Sequence, residues 1–350
     1  MIPAQPFPTQ VARPPLDAGG GGARRTDGDW RELWRDAIRD PRELLELLGL
    51  EHLSGRLSDA AAKQFPLRVP RGFATLMRHG DPDDPLLRQV LPIDDEERLV
   101  PGFGLDAVGD GPARAATGVI HKYEGRALLV ATGSCAVHCR YCFRRHFPYA
   151  EETAAANRWQ AAIDYLRADP SISELLLSGG DPLSLSTAKL AELTDSLRDL
   201  PSLQRLRLHT RLPVVLPERV DDALLDWLRG LPWPVAIVIH ANHPAELDAR
   251  VGGALARLRE TGALLLNQSV LLRGVNDDVD VLAALSDRLF EVGVLPYYLH
   301  QLDRVAGVAH FEVDDTSARR LHSELQSRLP GYLVPRLVRE IAGASGKTPL

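Results

Sequence analysis

All three cysteines of the chain fall in one short stretch, Cys135, Cys139 and Cys142, spaced C-x3-C-x2-C. They follow an apolar run, Ala127 to Ala131, that reads as one buried strand. Thiolates are soft ligands, suited to iron–sulfur clusters and to zinc. Three of them can hold three irons of a cubane cluster and leave the fourth iron open to chelate a small molecule. The alternative is a structural Cys3His zinc site with His138 or His146 as the fourth ligand. Three clustered cysteines do not make a disulfide framework, a reducing compartment suits a thiolate-ligated cluster, and the chain is expected to stay in the cytosol.

From Arg126 onward, short apolar runs alternate with amphipathic stretches. The runs are 127–131, 175–177, 206–208, 235–239, 263–266 and 294–298, with helical stretches near 153–168, 186–199, 220–229, 245–260 and 278–291. Six β/α units predict a parallel sheet with helices outside, and they are too few for a closed eight-stranded barrel. The fold class expected is therefore α/β, a partial (β/α)6 TIM-like barrel with an open side. Polar groups follow every run. They are the cysteines, then Ser178-Gly179-Gly180-Asp181, His209-Thr210-Arg211, His240 with Asn242 and His243, Asn267-Gln268-Ser269, and His300-Gln301 with Asp303. Strand ends that all carry polar groups converge on one mouth, where barrel enzymes keep their sites. A zinc knuckle would not organise six strand ends, so the pattern favours the cluster.

The remaining chain divides by composition. Residues 1–29, rich in Pro, Gly and Ala, read as a disordered tail without the apolar core of a signal peptide. Residues 30–118 read as a helical region and linker, with Trp30, Leu33, Trp34 and Ile38 at helical spacing and Pro41 opening a second helix that Gly49 ends. The barrel is expected over 119–304, and 305–350 forms a C-terminal segment with a helix from Asp315 to Leu329. No apolar run approaches membrane-spanning length, and the net charge of −6 gives no global basic field for nucleic acid. Two phosphate-loop look-alikes fail. Gly102 to Ala107 lacks a preceding strand and a following helix, and the stretch ending Gly346-Lys347-Thr348 has Ile341 where glycine is needed.

The C-x3-C-x2-C motif with Tyr141 and Phe143 beside its last cysteine resembles the radical S-adenosylmethionine (SAM) superfamily. Further stretches narrow the resemblance. Ser178 to Leu183, His209 to Pro217, His240 to Pro244, Asn267 to Asp277 and Pro296 to Phe311 are similar, in order and spacing, to lysine 2,3-aminomutases over roughly 95–350. The resemblance implies an isomerase that moves the α-amino group of L-lysine to the β-carbon, giving (R)-β-lysine. Its cofactors would be a [4Fe-4S] cluster, SAM and pyridoxal 5′-phosphate (PLP), with a flavodoxin or ferredoxin as electron donor.

The resemblance also assigns residues. Cys135, Cys139 and Cys142 would hold the cluster. Ser178, Gly179, Gly180, Asp181, His240 and Gln268 would line the SAM side. Lys347, one of only four lysines, would carry PLP as a Schiff base, with Arg126 on the phosphate and Lys122 and Tyr123 nearby. Arg144 would take the substrate carboxylate. Asp303 and Glu340 would take the far ammonium, although Glu340 stands where the better-known lysine mutases have aspartate. Two acids favour a cationic side chain and repel a glutamate; an arginine or glutamate aminomutase is the runner-up reading. The Lys-Thr-Pro-Leu ending and His300 resemble the short forms that supply β-lysine to a separate ligase acting on elongation factor P.

Overall fold

A computed structural model describes residues 29–152 and 159–350. The expected tail lies outside the described residues except for Asp29, whose carboxylate accepts the Arg31 N–H and caps the first helix. Five short helices follow in the N-terminal region: α1 (Trp30–Arg35), α2 (Pro41–Leu47), α3 (Asp59–Gln64), α4 (Arg71–Ala74) and α5 (Pro85–Arg88). Asp40 caps α2 ahead of Pro41, and Gly49, with φ +65°, ends it in the left-handed region. The segment expected to be loop from 92 to 118 contains a 3-10 turn, Asp94–Glu97, and a first strand, β1 (Arg114–Ala116).

Among the described residues the sheet has ten strands in sequential order. A meander of β1, β2 (Val119–Tyr123) and β3 (Arg126–Thr132) is antiparallel. From β3 the sheet is parallel through β4 (Glu174–Gly179), β5 (Arg205–Thr210), β6 (Val235–Ile239), β7 (Leu264–Val270), β8 (Leu295–His300) and β9 (Arg336–Arg339). The six expected strands are all present. A seventh parallel strand, β9, lies beyond the six expected. It is too short to show a period of its own and is defined by pairing, with Tyr298 opposite Arg336. A last strand, β10 (Thr348–Pro349), returns antiparallel on β9. The two edges are β1 and β10, so the barrel is open.

The crossovers carry α6 (Tyr149–Glu152), α7 (Gln160–Ala168), α8 (Thr187–Leu197), α9 (Leu212–Val215), α10 (Asp222–Arg229), α11 (Ala249–Arg259) and α12 (Val279–Glu291), with α13 (Asp315–Arg328) before β9. The first part of the helix expected from residue 153 lies outside the described residues. Leu190, Leu193, Leu224, Leu255 and Leu258 on the helices pack over Leu206, Leu208, Ile237 and Leu265 on the sheet. Ile38, Leu44, Leu45, Phe73 and Leu86 of the N-terminal region belong to the same buried cluster. Each such fully buried side chain contributes about 1.5–3 kcal/mol. The N-terminal helices are thus part of the barrel's own core.

Candidate active site

One cavity of about 270 Å³ opens at the carboxyl ends of the parallel strands. Its wall includes all sixteen residues to which the family resemblance assigns a role. Cys135, Cys139 and Cys142 come from the loop after β3. Ser178, Gly179, Gly180 and Asp181 come from the end of β4, His240 from β6, and Gln268 from β7. Lys122, Tyr123 and Arg126 come from the β2–β3 hairpin, Arg144 from the cysteine loop, Asp303 from beyond β8, Glu340 from the end of β9 and Lys347 from just before β10.

The cysteine loop is fixed from outside the barrel. Arg140 and Arg145 are buried and share the Glu96 carboxylate, at 2.5 Å and 2.6 Å. The Arg140 N–H donates to the Gln89 carbonyl and the His138 N–H to that of Arg68. The three thiols are free and partly exposed to the cavity. Burial pushes the Cys135 thiol well up, with Asp181 and the other two cysteines adding to the effect, and lifts Cys142 to about 11. Iron would supply the charge that deprotonates them. Neither histidine of the Cys3His alternative joins the cavity wall. His138 donates Nδ1–H to the Pro66 carbonyl and stacks on Phe65, while His146 donates Nε2–H to the Ala306 carbonyl. Among the described residues no three His, Cys, Asp or Glu side chains are grouped around a single metal ion. A cubane cluster gives each thiolate its own iron and does not need that grouping. The donor set fits a three-cysteine cluster.

The end of β4 meets this loop backbone to backbone. A Cβ on Gly180 would lie 2.5 Å from the Ser134 carbonyl oxygen, and Gly179, at φ +106°, would place one 2.7 Å from that of Thr132. Asp181 spends both oxygens inside the protein, accepting from Leu183 N, Thr210 Oγ1, Arg211 N and Leu212 N. Three imidazoles face the cavity from β5, β6 and β8. The Nε2 atoms of His209, His240 and His300 are buried and find no hydrogen-bond partner among the described residues. Burial holds all three neutral, taking His240 down to about 3 with help from the Arg211 charge.

An ionic chain runs along the other wall. Arg144 donates Nε–H to Asp110 at 2.7 Å and Nη1–H to the Ser178 hydroxyl at 3.2 Å. Lys122 pairs with the other Asp110 oxygen at 2.6 Å, donates to the Val108 carbonyl, and lies 3.6 Å from Glu340. Glu340 then pairs with Lys347 and accepts the Tyr123 hydroxyl. Burial opposes the charge on Asp110 and Glu340, but the adjacent cations outweigh it and hold both carboxyls below their ordinary range. Among the described residues no cation pairs with Asp303. Burial, reinforced by Glu340 and only partly offset by Lys347, raises it to about 7. Arg126 lies over the Tyr123 ring at 4.5 Å, and among the described residues no carboxylate pairs with it.

A family model described as "4Fe-4S single cluster domain" matches residues 123–207, from the end of β2 to β5. An L-lysine 2,3-aminomutase of Escherichia coli (strain K12) is 48% identical over 323 residues, covering 92% of this chain and 94% of that protein. One from Haemophilus influenzae is 46% identical, covering 93% and 96%, and one from Clostridium subterminale is 33% identical, covering 92% and 77%. The chain belongs to the L-lysine 2,3-aminomutase family.

Within this aminomutase-family cavity, several wall residues carry no mark in the sequence. Asp110 lies in the stretch that reads as loop, and only its burial between Arg144 and Lys122 reveals it. Arg207 faces inward from the middle of β5, paired with Glu174. Conversely, not every strand-end polar group lines the cavity. Asn267 bonds the Ala241 backbone in both directions, Ser269 donates to the Ala241 carbonyl, and Asn242 caps the Val270 N–H. These knit β6 to β7 and set the rim.

Proposed function

We propose that this chain is an L-lysine 2,3-aminomutase that converts L-α-lysine to (R)-β-lysine. The observation that carries the reading is the 48% identity to an L-lysine 2,3-aminomutase along nearly the whole of both chains. The cavity supports it: a guanidinium, Arg144, at one end of an ionic chain and two carboxyls, Asp303 and Glu340, toward the other. An α-amino acid with a distal ammonium matches that polarity, and a glutamate side chain would meet like charge.

When bound, the [4Fe-4S] cluster and SAM supply a 5′-deoxyadenosyl radical, and PLP carries the migrating amino group. The chain's share is positioning and shelter. Cys135, Cys139 and Cys142 hold the cluster. Ser178, Gly179, Gly180 and Asp181 form the turn beside it, with His240 and Gln268 on the next strand ends. Lys347 presents the amine that attaches PLP, and Arg126 offers its fork to the phosphate. Tyr123 flattens that fork against its ring. Lys122 balances Asp110 and Glu340, so the wall near the substrate is not left with excess negative charge. Arg144, oriented by Asp110, takes the substrate carboxylate, and Asp303 with Glu340 takes the far ammonium.

A reducing cytosol suits three free thiols, and a flavodoxin or ferredoxin would deliver the electron. The likeness of the His300 to Asp303 stretch to short forms supports delivery of β-lysine to a ligase that modifies elongation factor P.

The test is anaerobic. The protein is loaded with iron, sulfide and PLP, given SAM, a reductant and L-lysine, and followed by NMR. β-Lysine is the expected product. Its absence, with cluster and PLP bound, would move the substrate to another amino acid such as arginine.

A further inference from the structure

Arg211 is a buried cation that the reaction described above does not use. It follows β5 and begins α9, with 5% of its surface exposed. Its position is fixed at both ends. Its backbone N–H donates to Asp181 at 2.7 Å, and Nη2 donates to Gln89 Oε1 at 2.7 Å and Glu246 Oε2 at 2.9 Å. Nη1 is left facing the cysteine loop, where it meets the Cys139 sulfur and the Tyr141 hydroxyl, each at 2.7 Å. Glu246 is itself fully buried, and its second oxygen accepts from Gln89 and from the Asn242 and His243 backbones. The guanidinium therefore cannot swing away to find water.

The geometry points to Arg211 as the residue that sets the reduction potential of the cluster. This rests on Cys139 being a cluster ligand. Hydrogen bonds to ligand sulfurs and nearby charge are what tune such potentials. Reduction adds one electron, supplied from outside, to a cluster whose sulfur accepts the Arg211 Nη1–H. The added negative charge is stabilised by that donor and by the cation's field, so the potential rises. Glu246 opposes the field from the other side of the same fork. The pair thus acts as a dipole with its positive end on the sulfur. Because Gln89 follows α5, the N-terminal region helps aim the donor.

Arg211 is a positioning residue, and the test reads the cluster directly. Wild type, Arg211→Gln, Arg211→Lys and Glu246→Gln are loaded anaerobically and their iron and sulfide contents measured. The midpoint potential is then titrated by EPR, without SAM, PLP or lysine. Arg211→Gln should move the midpoint negative by at least a tenfold loss in the equilibrium constant for reduction, about 59 mV for one electron. Arg211→Lys should fall between that variant and wild type. Glu246→Gln removes the opposing charge and should move the midpoint positive. Opposite signs from two partners of one ion pair would not come from simple loosening of the fold. Unchanged potentials, or shifts of the same sign, in variants with full clusters would overturn the proposal. A wild-type chain that takes up no cluster would instead overturn the ligand assignment beneath it.

Discussion

At the scale of the residue, the role proposed for Asp303 makes the lysine end of the cavity sensitive to pH. Its carboxyl is raised to about 7, first by burial and then by Glu340, against the partial relief of Lys347. Below that value it is protonated and offers the far ammonium of lysine no charge. A bound ammonium favours the ionised form, so binding in this range releases a proton. The KM for lysine should fall as pH rises from 6 to 8, by up to about tenfold per unit on the acid side. Calorimetry in buffers of different ionisation enthalpy should detect the released proton, and Asp303→Asn should abolish both effects. A KM independent of pH in the unaltered protein would remove Asp303 from the binding site. The same shift bears on stability. A carboxyl raised in the folded state stabilises fully below its unfolded value and loses that contribution as pH rises through about 7. Glu340 and Asp110 are shifted down and act in the opposite sense, losing their contribution on acidification.

At the scale of the element, the cysteine loop depends on a 3-10 turn far from it in sequence. Glu96 in the Asp94–Glu97 turn is the shared counter-ion of Arg140 and Arg145, and all three side chains are buried. Removing one partner of a buried ion pair leaves an uncompensated charge and costs roughly 3–5 kcal/mol. Glu96→Ala should lower denaturant stability by that order, and iron per chain after reconstitution should fall with it. A stable Glu96→Ala variant that loads a full cluster would show that the loop holds itself. This dependence also marks the limit of what the chain's pattern discloses. Helices α8, α10, α11 and α12 show their apolar period and their caps, and they form within a few residues of where that period begins and ends. The turn at Asp94–Glu97 has four acids in a row, and nothing in the run says which one points inward. Strands β1, β2 and β9 have five residues or fewer, too short for a period, and exist through their neighbours. The polar strand ends are visible because a parallel sheet delivers them to one rim. Asp110 is not, because its role arises only when the chain before β1 folds back over the mouth.

At the scale of the molecule, the open barrel is completed by its last residues, and that places the cluster and the lysine under separate control. Glu340 ends the β9 segment and Lys347 begins the return, so the pair spans a short hairpin whose far arm is β10. That arm is held by Thr348 opposite Arg339, by the Leu350 N–H on the Leu337 carbonyl at 3.2 Å, and by Leu350 packing beside Leu321, Leu325 and Leu337. The cysteine loop is anchored elsewhere, on the N-terminal region and the larger core that includes β3 to β7. Leu350→Asp removes an apolar contact worth about 1.5–3 kcal/mol when complete, and puts a charge against the small core beneath α13. With Lys347 in its proposed role as the PLP lysine, the expected result is a protein that takes up its full complement of iron and sulfide yet binds PLP at least tenfold more weakly, read from the visible absorbance of the lysine-bound cofactor. Loss of iron together with PLP would mean that the two anchors unfold as one unit, and that the C-terminal strand supports the whole mouth rather than Lys347 alone.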